Sequence, residues 1–116
     1  MTVSLIYKIV GADAWSAASA AGRFEGAPVD LKDGYIHFST AAQVRETAAK
    51  HFGGVEGLVL AAFDPAALGA KLIWEPSRGG ALFPHLYDTL DPGRALWVRP
   101  LPLGPGGGHL FPDDMT

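Results

Sequence analysis

Residues 34–40 read Gly-Tyr-Ile-His-Phe-Ser-Thr and predict a β-strand with two different faces. Successive side chains in a strand point to opposite sides, so one face carries two apolar side chains, Ile36 and Phe38. The opposite face carries three hydrogen-bonding side chains, those of Tyr35, His37 and Ser39. This pattern predicts a strand that packs its back on a core and forms one wall of a polar cleft.

The segments around this strand predict further short elements. Thr40 and Gln43 form a capping-box pattern, and apolar residues then recur at helical spacing through His51. Residues 58–63 are almost wholly apolar, which predicts a central strand buried on both faces. A second helix is predicted with Asp13 as its cap, and Gly26 and Pro28 make residues 23–32 a predicted loop. Further strands are predicted at residues 5–10, 71–75, 81–87 and 95–101. The result is a single α+β domain over residues 1–116, with five to six short strands and two helices.

Composition excludes several classes of function. The 116 residues contain no cysteine, which rules out disulfides, thiolate catalysis and cysteine-ligated zinc. A net charge of -3 argues against an extended nucleic-acid-binding surface. No apolar run approaches the roughly 20 residues of a membrane span, and the first residues show no signal-peptide pattern. We therefore expect a soluble, cytoplasmic protein that does not interact with membranes.

The stretch from Trp74 to Tyr87 concentrates the candidate chemistry. It holds a carboxylate, a guanidinium, an imidazole and a phenol, on Glu75, Arg78, His85 and Tyr87. Glu75 stands beside Trp74, a setting that desolvates a carboxylate and suits acid–base work. Arg78 precedes two glycines, so its guanidinium is a candidate to clasp a phosphate or carboxylate. His85 is a candidate general acid or base, or a ligand contact. The plain alternative is a tight hairpin on the core, with Glu75 paired to Arg78 on the surface.

A metal site is a further alternative. Two histidines and a glutamate can hold a catalytic metal, and His37, His85 and Glu75 would then form a metal-assisted hydrolase. These three residues lack the short ligand spacing typical of such sites, so we expect no metal. The glycine-rich residues 104–108 open no predicted helix, which argues against a phosphate cradle there.

Three stretches carry a resemblance to a known family: residues 34–40, residues 74–80, and residues 82–87, which read Leu-Phe-Pro-His-Leu-Tyr. Together they resemble a bacterial domain-of-unknown-function family, number 952, over nearly the whole chain, from about Ile6 to Pro112. That family is grouped with the ADP-ribosyltransferase-like superfamily, whose members bind NAD in a cleft between two small sheets. The resemblance therefore implies a mixed, mostly antiparallel split sheet and NAD as a possible substrate.

The resemblance also implies roles for particular residues. His37, followed by Ser39 or Thr40, would bind the ribose of the nucleotide. Glu75 would stabilise the positive charge on the ribose, and Tyr35 or Tyr87 would stack on nicotinamide. Arg78 is the best-placed cation for the pyrophosphate, with His85 and Tyr87 lining the pocket. These roles predict transfer or cleavage of the ADP-ribosyl group of NAD or a related small nucleotide. A non-enzymatic nucleotide-binding module is the alternative.

Overall fold

The structure is a computed structural model that describes residues 4–116, with the backbone alone for Arg78. The helices and strands, in chain order, are β1 (Ile6–Gly11), α1 (Ala12–Ala21), α2 (Pro28–Asp33), β2 (Ile36–His37), β3 (Ser39–Thr40), α3 (Ala41–His51), β4 (Leu58–Phe63), β5 (Leu72–Pro76), β6 (Leu82–Leu86) and β7 (Trp97–Leu101). Short 3-10 segments lie at Pro65–Lys71, Arg78–Gly80 and Pro92–Arg94. The α+β class predicted from the sequence is confirmed.

Two antiparallel sheets hold the seven strands found in residues 4–116. The larger sheet has the order β3-β1-β4-β7, and the smaller has the order β2-β6-β5. The sheet is therefore split, as expected, although every strand pair in the described chain is antiparallel rather than mixed. Five to six strands were predicted, and the difference arises because residues 34–40 divide into two strands.

The larger sheet is covered by α3 on one face. Strand β4 lies between β1 and β7, and its residues are almost all buried, which confirms the predicted central strand. Alternate residues of β1 and β4 form an apolar cluster with the buried face of α3, namely Tyr7, Ile9, Leu58, Leu60, Ala62, Val44 and Ala48. Helix α3 has the predicted bounds, and Gln43 Oε1 accepts a hydrogen bond from the backbone N–H of Thr40 at 3.0 Å.

A second apolar cluster joins the two sheets. It contains buried side chains from β1 and β4 of the larger sheet and from β2 and β6 of the smaller one, including Ile6, Val10, Ala61, Phe63, Ile36 and Leu86. Lys8 shares a face of β1 with Ile6 and Val10, so its side chain enters this apolar region. The cluster therefore fixes the smaller sheet, which carries the site, against the larger one.

The prediction of one continuous strand over residues 34–40 was wrong. Strand β2 pairs with β6, whereas β3 pairs with β1 in the other sheet. The chain passes between the sheets at Phe38, whose backbone N–H donates to the carbonyl of Pro84 at 3.0 Å and whose side chain is buried. Side-chain alternation gives the faces of a strand but does not reveal which neighbour pairs with it.

The predicted loop at residues 23–32 and the count of two helices were also wrong. Helix α2 begins with Pro28, because proline suits the first helical position, where its missing N–H leaves no hydrogen bond unmade. The helix ends at Asp33, and Gly34 caps it with a φ of 87°, which other residues rarely adopt. Helix α1 starts at Ala12, so Asp13 lies in its first turn rather than at its cap. Within residues 4–116, no helix has the length and apolarity needed to cross a membrane.

Candidate functional site

Two histidines face each other on the smaller sheet. His37 of β2 and His85 of β6 are Cα partners across the antiparallel pair, so their side chains project from the same face. Their ring centroids lie 5.5 Å apart in an edge-on arrangement. His85 is 3% exposed, whereas the His37 side chain is 31% exposed. Two residues that lie 48 positions apart in the sequence thus meet at the centre of one polar surface.

Glu75 completes this surface from the third strand. Ile73 of β5 is the Cα partner of His85, and Glu75, two residues further along, shares its face of the sheet. Glu75 Oε1 lies 2.8 Å from His85 Nδ1 and accepts a hydrogen bond from the Tyr87 hydroxyl at 2.7 Å. An ionised carboxylate only accepts, so His85 donates from Nδ1. The structure therefore brings together the two predicted catalytic residues, Glu75 and His85.

The Glu75 hydrogen bonds change the acidity of the groups that form them. The Tyr87 hydroxyl, followed by His85, lowers the pKa of Glu75 by stabilising its ionised form. In return, the hydrogen bond to Glu75 raises the pKa of Tyr87 to about 12. Glu75 is consequently an anion, and Tyr87 a neutral hydrogen-bond donor, at neutral pH.

Tyr35 covers this group of side chains. Its ring stacks on His85, with centroids 4.0 Å apart and an angle of 27° between the planes. It also lies 4.7 Å from the ring of His37 and 5.2 Å from that of Tyr87. Burial, together with the negative charges of Asp33 and Glu75, raises the pKa of Tyr35. Tyr35, one of the two aromatic residues predicted to stack on a ligand, therefore lies over His85.

His37 is bound by two carboxylates. Its Nδ1 lies 2.6 Å from Asp30 Oδ1, and its Nε2 lies 2.9 Å from Asp33 Oδ2. The backbone N–H of His37 also donates to Asp30 Oδ1 at 3.1 Å. Only the doubly protonated imidazole can donate from both ring nitrogens. Neither aspartate was predicted to belong to the site.

Asp30 is in turn bound by a buried lysine. Lys8 Nζ lies 3.0 Å from Asp30 Oδ1 and 2.9 Å from Oδ2. Burial by itself would raise the pKa of Asp30, but the hydrogen bond from His37 and the charge of Lys8 outweigh it and lower the pKa to about 2. Burial lowers the pKa of Lys8, and Asp30 opposes that change. Lys8 and Asp30 thus form a buried ion pair beneath His37.

Two cavities lie at the two ends of this polar surface. An open cleft of about 390 Å³ is lined by Tyr35 and Tyr87 together with the acidic residues Glu25, Asp30 and Asp88. A cavity of about 100 Å³ lies at the other end, lined by His37, Ser39, Thr47, His51, Ser77 and His85. The larger volume is within the roughly 300–1,000 Å³ typical of ligand pockets, whereas the smaller one can hold only part of a ligand.

The remaining predicted site residues occupy different positions. Ser39 lines the small cavity, and its buried hydroxyl lies 3.0 Å from the hydroxyl of Thr47. Thr40 is the N-terminal cap of α3 and pairs with Ile6 of β1. The side chain of Arg78 lies outside the part of the chain that the structure describes. His51, at the end of α3, also lines the small cavity.

The predicted alternative of a metal site concerns His37, Glu75 and His85. Among the residues that the structure describes, no group of three or more histidine, cysteine, aspartate or glutamate side chains is arranged to hold a metal ion. His85 is instead hydrogen-bonded to Glu75, and His37 to Asp30 and Asp33. The metal-assisted alternative therefore gains no support from this geometry.

The chain belongs to the family described as "Protein of unknown function (DUF952)", whose model matches residues 9–98. It is similar to the protein CC0527 from Caulobacter crescentus. The crystal structure of CC0527 has a TM-score of 0.89 and 50% sequence identity, covering 92% of this chain and 94% of that one. The solution NMR structure of CC0527 has a TM-score of 0.82 and 51% identity, covering 90% of each chain. No curated protein matches the chain. The family assignment is confirmed, and the likeness to ADP-ribosyltransferases stays a prediction.

The residues that sequence reasoning missed had left weak signals. Lys8 occupies a core-facing position in an otherwise apolar strand, and a buried charge requires a partner. Asp30 follows Pro28 at the spacing of a residue in the first turn of a helix, where carboxylates are favoured. Because a loop was predicted at residues 23–32, nothing there marked Asp30 as a fixed partner for Lys8.

Proposed function

We propose that the face formed by His37, His85, Glu75, Tyr35 and Tyr87 binds a nucleotide of the NAD type and acts on its glycosidic bond. The observation that carries the proposal is the meeting of His37 and His85 in register, with Glu75 hydrogen-bonded to His85. In ADP-ribosyltransferases, which the sequence resembles, a strand histidine binds the ribose and a glutamate stabilises the ribosyl cation. The same residue types converge here from three separate strands.

The distribution of charge supports one orientation of the ligand. The cleft at Tyr35 and Tyr87 is aromatic and is bordered by acidic side chains. The nicotinamide ring of NAD is a cation, and cations are stabilised by aromatic faces and by nearby carboxylates. We place this ring at the two tyrosines and the ribose beside His37. The phosphates then lie towards Ser77, which lines the small cavity and precedes Arg78.

The chemistry follows from the position and charge of Glu75. When the bond between the ribose carbon and the nicotinamide nitrogen breaks, the electron pair leaves with nicotinamide, which becomes neutral. The positive charge left on the ribose is stabilised by the Glu75 carboxylate, whose lowered pKa keeps it ionised. A hydroxyl group then adds to the ribose carbon. Its proton passes to Nε2 of His85, which accepts because Nδ1 donates to Glu75.

Calorimetric titration with NAD tests the binding step. Wild-type protein should bind NAD saturably, and His37→Gln should weaken binding by about tenfold, the effect of losing one hydrogen bond from a charged donor. His109→Gln is the matched control, because His109 bonds the carbonyl of Val55 at 2.8 Å and lines neither cavity of the site. Absence of binding by the wild type to both NAD and ADP-ribose would overturn the proposal.

Glu75→Gln separates an enzyme from a binding module. If Glu75 stabilises the ribosyl cation, this variant should retain most of the affinity for NAD and lose about a hundredfold or more in the rate of nicotinamide release. If the domain only binds its ligand, the wild type itself should release no nicotinamide. Chromatographic detection of free nicotinamide distinguishes the two results.

A further inference from the structure

The buried ion pair of Lys8 and Asp30 connects three separate elements at the base of the site. Lys8 lies on β1, Asp30 on α2, and their shared contact, His37, on β2. The side chains of Lys8 and Asp30 are 5% and 1% exposed. Burying such a pair costs free energy unless hydrogen bonds satisfy both charged groups. Because the pair lies directly beneath a candidate ligand-binding histidine, we looked to that histidine for its role.

The hydrogen bonds of Asp30 leave it little freedom to move. Oδ1 accepts from Lys8 Nζ, from the backbone N–H of His37 and from His37 Nδ1. Oδ2 accepts from the backbone N–H of Ala27 at 2.8 Å and lies 2.9 Å from Lys8 Nζ. A carboxylate offers about four acceptor positions, and these contacts occupy them. Asp30 therefore orients other groups and has no capacity left for a ligand.

We propose that Asp30, held by Lys8, is a positioning residue that keeps the proton of His37 on Nδ1 and directs Nε2 towards the ligand. The ligand part of this proposal rests on the proposed function, whereas the fixed proton position does not. His37 Nε2 donates to Asp33 Oδ2, 2.9 Å away. The Asp33 side chain is 38% exposed, so water or a ligand oxygen can replace it. Asp33 thus holds the place that a ligand hydroxyl takes.

The proton position follows from the contrast between the two aspartates. Four groups surround the His37 ring: Asp30 and Asp33 from α2, Tyr35 from the bend between α2 and β2, and His85 from β6. Asp30 is buried, paired and ionised, so it retains the Nδ1 proton. The hydrogen bond to Asp33 is open to competition from water. When His37 becomes neutral, the proton should leave from Nε2.

Nitrogen-15 NMR of the His37 ring in the ligand-free wild type tests this directly. For the neutral ring, the proton–nitrogen correlation spectrum should show the tautomer with hydrogen on Nδ1. Asp33→Asn should leave that tautomer unchanged. A neutral His37 that carries its hydrogen on Nε2 would overturn the proposal.

A double variant tests whether Asp30 is responsible. Asp30→Asn alone would leave Lys8 buried without its charged partner, so we combine Lys8→Met with Asp30→Asn. An asparagine side chain can donate or accept, so both tautomers of His37 should then be populated. Retention of the single Nδ1 tautomer in this variant would overturn the role of Asp30. If the double variant does not fold, the wild-type spectrum decides the proposal by itself.

NAD binding by Asp33→Asn separates this proposal from the function proposed above. Asp33→Asn should bind NAD at least as tightly as the wild type, because it weakens the competing acceptor at Nε2. Absence of NAD binding, with the Nδ1 tautomer present, would remove the proposed function and leave the positioning role standing. NAD binding with the Nε2 tautomer would remove the positioning role alone.

Discussion

His37 and His85 are partners across neighbouring strands, yet the carboxylates that hold them differ sharply. His37 bonds Asp30, which is buried and paired with Lys8. His85 bonds Glu75, whose side chain is 35% exposed and whose second partner is the exposed Tyr87. A buried carboxylate with all its positions filled fixes a ring in place. A half-exposed carboxylate can exchange partners, so the His85 side is the one suited to proton transfer.

This difference has a counterpart in the two sheets. Lys8 and Asp30 are buried where the smaller sheet and α2 meet the larger sheet, among the side chains of the shared core. Glu75 lies on β5, an edge strand of the smaller sheet. The carboxylate that holds His37 therefore lies in the interior, and the carboxylate that bonds His85 lies on an edge strand.

The largest expected effect is on stability. Asp30→Ala should lower the free energy of unfolding by about 3–5 kcal/mol, because it leaves Lys8 buried and unpaired. Asp114→Ala is the matched control, since Asp114 also pairs with a cation, Arg99 at 2.8 Å, but is exposed. Exposed ion pairs contribute little, so its effect should be far smaller. Urea unfolding followed by circular dichroism measures both. An equal decrease in the unfolding free energy of the two variants would contradict the claim that the buried carboxylate contributes more than the exposed one.

The dependence of stability on pH is the next effect in size. In the folded protein the pKa of Asp30 is about 2, below its ordinary value of 3.8. Its contribution is therefore complete above about pH 4 and is lost as the pH falls towards 2. Between pH 4 and pH 2, the free energy of unfolding of the wild type should therefore fall by about 2 kcal/mol more than that of the variant that combines Lys8→Met with Asp30→Asn. Urea unfolding curves collected across this pH range measure the difference. An equal dependence of the unfolding free energy on pH in the two proteins would contradict the prediction.

The smallest effect concerns the exposed half of the site. Tyr87→Phe should raise the pKa of Glu75 towards its ordinary value, because the strongest stabilising hydrogen bond is lost. Conversely, Glu75→Gln should lower the pKa of Tyr87 from about 12 towards its ordinary value of 10.0. Carbon-13 NMR titrations of the two side chains follow these changes, with Asp114 as an internal reference that should not move. Unchanged titrations would mean that the Glu75–Tyr87 hydrogen bond does not form in solution.

Much of this molecule follows from local sequence. The bounds of α3, the buried strand β4 and the hairpin of β5 and β6 are set by residue spacing and by breakers such as Gly79 and Gly80. The alternation of side chains along β5 also puts Glu75 on the face opposite Leu72 and Trp74, and that face is the one that meets His85. The meeting of the two histidines depends on the order of the strands, which no local pattern contains.

The residues that escaped prediction are those whose role depends on distant partners. Lys8 and Asp30 are 22 positions apart, and each looks unremarkable within its own segment. The division of residues 34–40 between two sheets likewise depends on which strands are available to pair. Sequence spacing therefore identified candidates with local patterns, such as Glu75 and His37, but not the buried pair of Lys8 and Asp30.

The most direct test of the site is a titration of isotope-labelled wild-type protein with NAD, followed by NMR. The proposal predicts saturable chemical-shift changes concentrated on the smaller sheet, at Tyr35, His37, His85 and Tyr87, with the resonances of His109 unchanged. Absence of saturable changes, or changes centred on His109 and the other face of the molecule, would contradict it.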